Sequence, residues 1–183
     1  MKKSQPTWTQ VKAKLSAFDR PGLVALIQDL YTAHKENRTF LHTRFSLGED
    51  VLEPYKQTIQ RSISPDPGRS ARILDISTAK GKQAIVDYRK AVGDPAGLAE
   101  LTVFYCERAA GFCSDFGNDD ESYFEALLDM FQQAVIVANT LPSSSRDELI
   151  ARLDQVCIIC QDFGYGVGDT MADILGKSAE NDH

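Results

Sequence analysis

The chain has 183 residues, 43% of them hydrophobic and 25% charged, with a formal net charge of −6. That length suits a single domain, residues 1–183, with a sizeable core. No apolar run approaches the roughly 20 residues that cross a bilayer, and "MKKSQPTWTQVKAKL" has no apolar stretch of the kind a secretory leader needs, so a cytoplasmic location without membrane contact is expected.

Nearly every segment reads with helical spacing. In "TWTQVKAKLSAF", Trp8, Val11, Leu15 and Phe18 share one face, and Thr7 with Gln10 has the spacing of a capping box. Asp19 then caps a second helix, with Pro21 in its first turn and an inward stripe of Leu23, Leu26, Ile27, Leu30, Tyr31 and His34. His34, at the end of that stripe, reads as a core-edge residue. A short helix follows around "NRTFLHTRF", and another begins near Pro54 with Tyr55 and Ile59 facing inward.

"SPDPG" at 64–68 is the strongest break and the place for any subdivision of the domain. "RILDIS" after it has strand character but no partner strand, so Ile73 and Ile76 are read as leading into the helix "TAKGKQAIVDYRKAV". That helix stops at Gly93, and Asp94-Pro95 opens the next.

Leu98, Leu101, Tyr105, Ala109, Phe112 and Phe116 form the stripe of a long helix ending at Gly117. Asn118 or Asp119 is placed to cap its successor, which turns Phe124, Leu127, Leu128, Phe131 and Val135 inward. Ser145 and Glu148 have capping-box spacing for the following helix, whose stripe of Leu149, Leu153, Val156, Cys157 and Cys160 runs on to Phe163-Gly164. A last short helix carries Met171, Ile174 and Leu175, with Asp169 as its cap, and "GKSAENDH" is expected to fray. The expectation is therefore an all-α fold: a compact array of eight or nine helices packed as antiparallel hairpins.

Cys-x-Asp-Phe-Gly occurs twice, at Cys113 and Cys160, 47 residues apart. Each copy falls where an amphipathic helix stops, with Gly free to take the left-handed conformation and Phe docking on the core. The interval is close to the period of a two-helix HEAT-like unit. A kinase reading of Asp-Phe-Gly needs a glycine-rich loop, a strand lysine and a His-Arg-Asp loop, and none is present.

Other chemistry is weighed in the same way. The acids at Asp115, Asp119 and Glu121 lack the glycine and glutamate positions of a calcium loop and read as helix capping. Cys157-Ile-Ile-Cys160, with Cys106 and Cys113, has a spacing that zinc sites use, but all four cysteines sit in apolar stripes and are expected to be reduced, metal-free core thiols. Asp169 and Asp173 lie one helical turn apart; with Asp115 and Asp119 they form the candidate set for a divalent cation in a metal-dependent hydrolase or metal-binding protein. No catalytic triad and no cofactor motif stands out.

Charge is divided unevenly. Residues 1–90 carry 16 Lys/Arg against 9 Asp/Glu, a net of +7, and residues 91–183 carry 4 against 17, a net of −13. Nucleic-acid binding through Lys56, Arg61, Arg69, Arg72, Lys80, Lys82, Arg89 and Lys90 is disfavoured by the acidic second half. The same split is compatible with a weak, salt-sensitive homodimer in which basic and acidic halves meet, or with unlike helices neutralising each other within one chain.

Taken together, "LIQDLY", "FCSDFGNDDESYFEALLDMF" and "DFGYGVGDTMADI" resemble an uncharacterised family of small bacterial all-helical proteins, over most of residues 8–175. The resemblance implies a bacterial cytoplasmic helical protein and carries no activity and no catalytic residue. With no catalytic constellation in the residues themselves, the expected function is a non-enzymatic protein-interaction or scaffold module with a protein partner.

Overall fold

A computed structural model describes residues 5–48, 50–64, 76–118 and 120–180. Among them there are nine α-helices and no strand: α1 (Trp8–Leu15), α2 (Arg20–Ala33), α3 (Lys35–Arg44), α4 (Glu53–Ile63), α5 (Thr78–Ala91), α6 (Pro95–Phe116), α7 (Glu121–Ala138), α8 (Ser143–Ile159) and α9 (Val167–Glu180). The all-α reading holds. The residues 65–68 of the central break, together with Ile73, lie outside the described residues; Ile76 is half-buried against the core.

The helix starts follow the local chemistry. The Thr7 amide donates to Gln10 Oε1 at 2.8 Å, and Gly22 and Gly97 donate to the carboxylates of Asp19 and Asp94 at 2.8 Å. Three starts differ from the sequence expectation. Asp120, not Asn118 or Asp119, caps α7, accepting from the Ser122 amide at 2.8 Å. In a run of three polar residues, the carboxylate that reaches the first free amides takes the role. Helix α8 begins at Ser143, after Pro142, so Ser145 lies inside its first turn and caps nothing. Asp169 likewise lies in the first turn of α9, which begins at Val167 and has 14 residues.

The core is one cluster drawn from α4 to α9, with Ile59, Ile63, Leu101, Tyr105, Leu127, Phe131, Leu153 and Met171 at its centre. Helix α6 packs between α4 and α8 and against α7, while α5 packs on α4 and α9 on α7. The helices flanking the 64–68 break, α4 and α5, pack on each other, and the Ser77 amide donates to the Ser62 carbonyl at 2.8 Å. At the same end of α4, the buried Tyr123 hydroxyl donates to the Ile63 carbonyl at 2.8 Å and ties α7 to it.

Both Asp-Phe-Gly copies lie at one end of this bundle, since Phe163 stacks on Phe124 in the first turn of α7 at 5.7 Å. They do different things there. Gly117 is left-handed (φ 67°) and closes α6 as expected, but Phe116 remains 49% exposed and stacks on Phe112 instead of entering the core. Helix α8 stops at Ile159, before the second copy. The left-handed residues that follow are Tyr165 (φ 58°) and Gly166 (φ 66°), not Gly164.

Candidate functional site

The first three helices stand apart from this core. Neither α1 nor α2 buries a residue, and α3 buries only Thr43. Helix α3 explains the separation. It is a polar helix, "KENRTFLHTR", held to the body by the Arg44 guanidinium on the Ala91 carbonyl (3.1 Å) and by the Tyr55 hydroxyl on Thr43 Oγ1 (3.2 Å). Helix α2 packs on α3, joined to it by Tyr31 Oη and His42 Nε2 at 2.9 Å and by Asn37 donating to the Leu30 carbonyl at 2.7 Å. The stripe expected to face inward therefore has α3 beneath it and no core. Leu26 and Tyr31 are half-buried, but Leu23, Val24, Ile27 and Leu30 are exposed, as is His34, which is no core-edge residue.

Those four side chains of α2 fall within a face about 120° wide at helical spacing. Trp8 and Val11 on α1, and Phe18 after it, are exposed as well, Trp8 with 69% of its area in contact with solvent. From Pro21 to Gln28 the chain carries no charged residue. Of the 17 exposed large hydrophobic residues among the described residues, ten lie between Trp8 and Leu47, which concentrates the apolar surface on this arm. A groove of about 680 Å³ is lined by residues of α3, α4 and α5, among them Phe40, Tyr55, Lys35, Arg61, Asp87 and Lys90.

Of the carboxylates proposed for a cation, three lie among the described residues. Asp169 and Asp173 are both exposed on α9, and Asp115 is exposed near the end of α6; Asp119 lies outside the described residues. Among the described residues no group of three or more His, Cys, Asp or Glu side chains is placed to hold a metal ion. What the fold does gather is a charged network between helices. Glu100 of α6 accepts from Lys56 of α4 (2.7 Å) and from Arg152 of α8 (2.5 Å), and Arg152 also forks onto both oxygens of Glu107 at 2.8 and 2.9 Å. All four side chains are three-quarters buried or close to it. With Lys82 on Asp129 at 3.1 Å, this pairs two cations of the basic half with acids of the acidic half. Part of the charge split is thus neutralised inside the chain, and Arg69 and Arg72 of the basic run lie outside the described residues.

Cys106, Cys113 and Cys160 are buried and Cys157 half-buried, which places the thiols as the apolar stripes implied. Burial pushes Cys113 up to about 11 and Cys160 up to about 12, and raises Cys106 and, less deeply placed, Cys157. At pH 8 a charged disulfide reagent is expected to modify Cys157 alone in the folded chain, and the other three only on unfolding. Because the folded values lie above the ordinary 9.0, the unfolded chain loses these protons first. Stability is expected to be full below pH 9 and to fall from there towards pH 12, readable as a declining melting temperature.

No family model, curated protein or solved structure matches the chain. The arm was the feature that the sequence hid. Its stripe has the same spacing as those of α6 and α7, and "LVALI", five apolar residues in succession, is the one local sign that α2 is greasy beyond what a single packed side requires.

Proposed function

We propose that the chain is a non-enzymatic protein-interaction module: stacked helical pairs of a HEAT-like kind, α4 to α9, carrying an apolar docking arm formed by α1 and α2. The observation that carries this reading is the exposure of Trp8, Val11, Phe18, Leu23, Val24, Ile27 and Leu30, large apolar side chains each with between 36% and 69% of its area in contact with solvent. Taking roughly 200 Å² for a whole aromatic side chain and somewhat less for an aliphatic one, these seven present on the order of 600 Å². Apolar surface on that scale is at the upper end for an ordinary monomer, where it is often functional. The resemblance to a bacterial all-helical family supports a bacterial cytoplasmic setting for that partner.

The test is a photo-reactive benzoylphenylalanine at position 24, introduced in the cell that makes the protein. A discrete protein adduct is expected from position 24 and none from the same probe at Asp162, exposed on the acidic side. An arm that gives no adduct contradicts the reading.

A further inference from the structure

We propose that α2 and α3 form a flap that undocks from α4 and α5 as one unit while α4 to α9 stay folded, and that this movement opens and closes the groove that α3 lines. The two helices of the flap hold each other. Tyr31 Oη meets His42 Nε2 at 2.9 Å, their rings stand 5.6 Å apart, and the Asn37 side-chain amide donates to the Leu30 carbonyl at 2.7 Å.

The seat of the flap on the body is slight. Among the described residues two hydrogen bonds cross from α3 to the body, Arg44 on the Ala91 carbonyl and Tyr55 on Thr43, and both lie in the last turn of α3. Thr43 is the one buried residue of the pair, and none of the half-buried apolar side chains packed against the core comes from α2 or α3. Ties confined to one end make that end the hinge. Lys35 to Phe40, the part of α3 without a tie to the body, is the part that lines the groove, opposite Gln57 and Thr58 of α4 and Ala84 of α5. The chain leaving α3 gives the hinge little anchorage, since Phe45 and Leu47 are 66% and 58% exposed. Undocking leaves Tyr55 in the body, edge-on to Tyr88 at 5.4 Å, and frees its hydroxyl from Thr43.

A net hydrogen bond shifts an equilibrium by on the order of five-fold. Two of them and one threonine hold the flap far more weakly than unfolding constants of about 10³ to 10⁸ hold an ordinary domain, and regions with few buried apolar contacts open first.

Residue-resolved amide hydrogen exchange of the full chain, at rising urea short of the unfolding transition, is the test. Amides of α2 and α3 are expected to share one level of protection, at least about 100-fold below those central in α6 and α7. Theirs should respond weakly to urea and the others steeply, because the slope follows the surface exposed on opening. Leu153→Ala, which hollows the core at a fully buried position, is expected to lower protection in α6 and α7 by about 100-fold and to leave α2 and α3 unchanged. With Thr43→Cys, a charged disulfide reagent is expected to reach the new thiol at least about 100-fold faster than Cys106, buried in the body. Protection in α2 and α3 equal to that of α6 and α7, or falling with it in Leu153→Ala, overturns the proposal. So do unlike levels in the two helices, which deny a single unit, and no protection in either, which denies a docked state. A new thiol no faster than Cys106 overturns it as well.

Discussion

Arg152→Ala is expected to lower stability by about 2 kcal/mol, towards the small end for a broken buried ion pair because the side chains keep about a quarter of their area in water. For a chain of this size that is roughly a 6 °C fall in melting temperature. The loss arises because Glu100 and Glu107, two turns apart on one side of α6, lose the guanidinium that bridges them, and Lys56 remains against Glu100 alone among the described residues. Arg152→Met, which keeps the aliphatic stem, is expected to cost nearly as much, and adding Glu107→Gln to it should restore part of the loss. The network also sets an acid limit. Burial pushes the Glu100 carboxyl up, but hydrogen bonds from Arg152 and Lys56 outweigh it and hold the carboxyl below its ordinary 4.5. Its contribution is therefore present above pH 4.5 and is lost as pH falls through the lower folded value, so wild type and Arg152→Met should converge in stability in acid.

Gly168→Ala is expected to destabilise by about 3 kcal/mol, although Ala is the better helix former by about 1 kcal/mol. A Cβ at Gly168, in the first turn of α9, would stand 2.7 Å from Gln161 Cα and 3.0 Å from the Cys160 carbonyl oxygen. Both are backbone, and no rotamer relieves them. The turn between α8 and α9 must open, and with it the seat of Val167 and Met171, both fully buried. Gly111 gives the opposite sign. It lies inside α6 with nothing within 4 Å of its would-be Cβ, so Gly111→Ala should stabilise by up to about 1 kcal/mol. Urea titration of the two variants against wild type reads both shifts.

The body of the fold was legible because α4 to α9 bury what their periodicity offers. The stripes of α6 and α7 run straight into the core, with Leu101, Leu127 and Phe131 fully enclosed. Periodicity names a sticky side without saying whose surface meets it, and so α2, patterned like its successors, reads as core. The contact that separates it is made by α3, which places Thr43 and Arg44 against the body and leaves α2 on its far side. The charged network was illegible for a related reason. Lys56, Glu100, Glu107 and Arg152 come from three helices, and no local spacing links a residue to a partner 44 or 52 positions away. The repeat of Asp-Phe-Gly placed both copies at helix ends, but the second chain reversal depends on Tyr165 and Gly166, beyond the part the copies share. Asp115, Asp169 and Asp173 are where helical spacing puts them, exposed, and the fold adds no further ligand among the described residues.

In the isolated chain α1 and α2 present their large apolar side chains to water. Trp8 is the only tryptophan and lies on α1, 69% exposed. Its quenching by acrylamide in dilute purified protein reads that exposure directly. Strong quenching, approaching that of the urea-unfolded chain, is the result expected. A Trp8 shielded several-fold relative to the unfolded chain would contradict the claim.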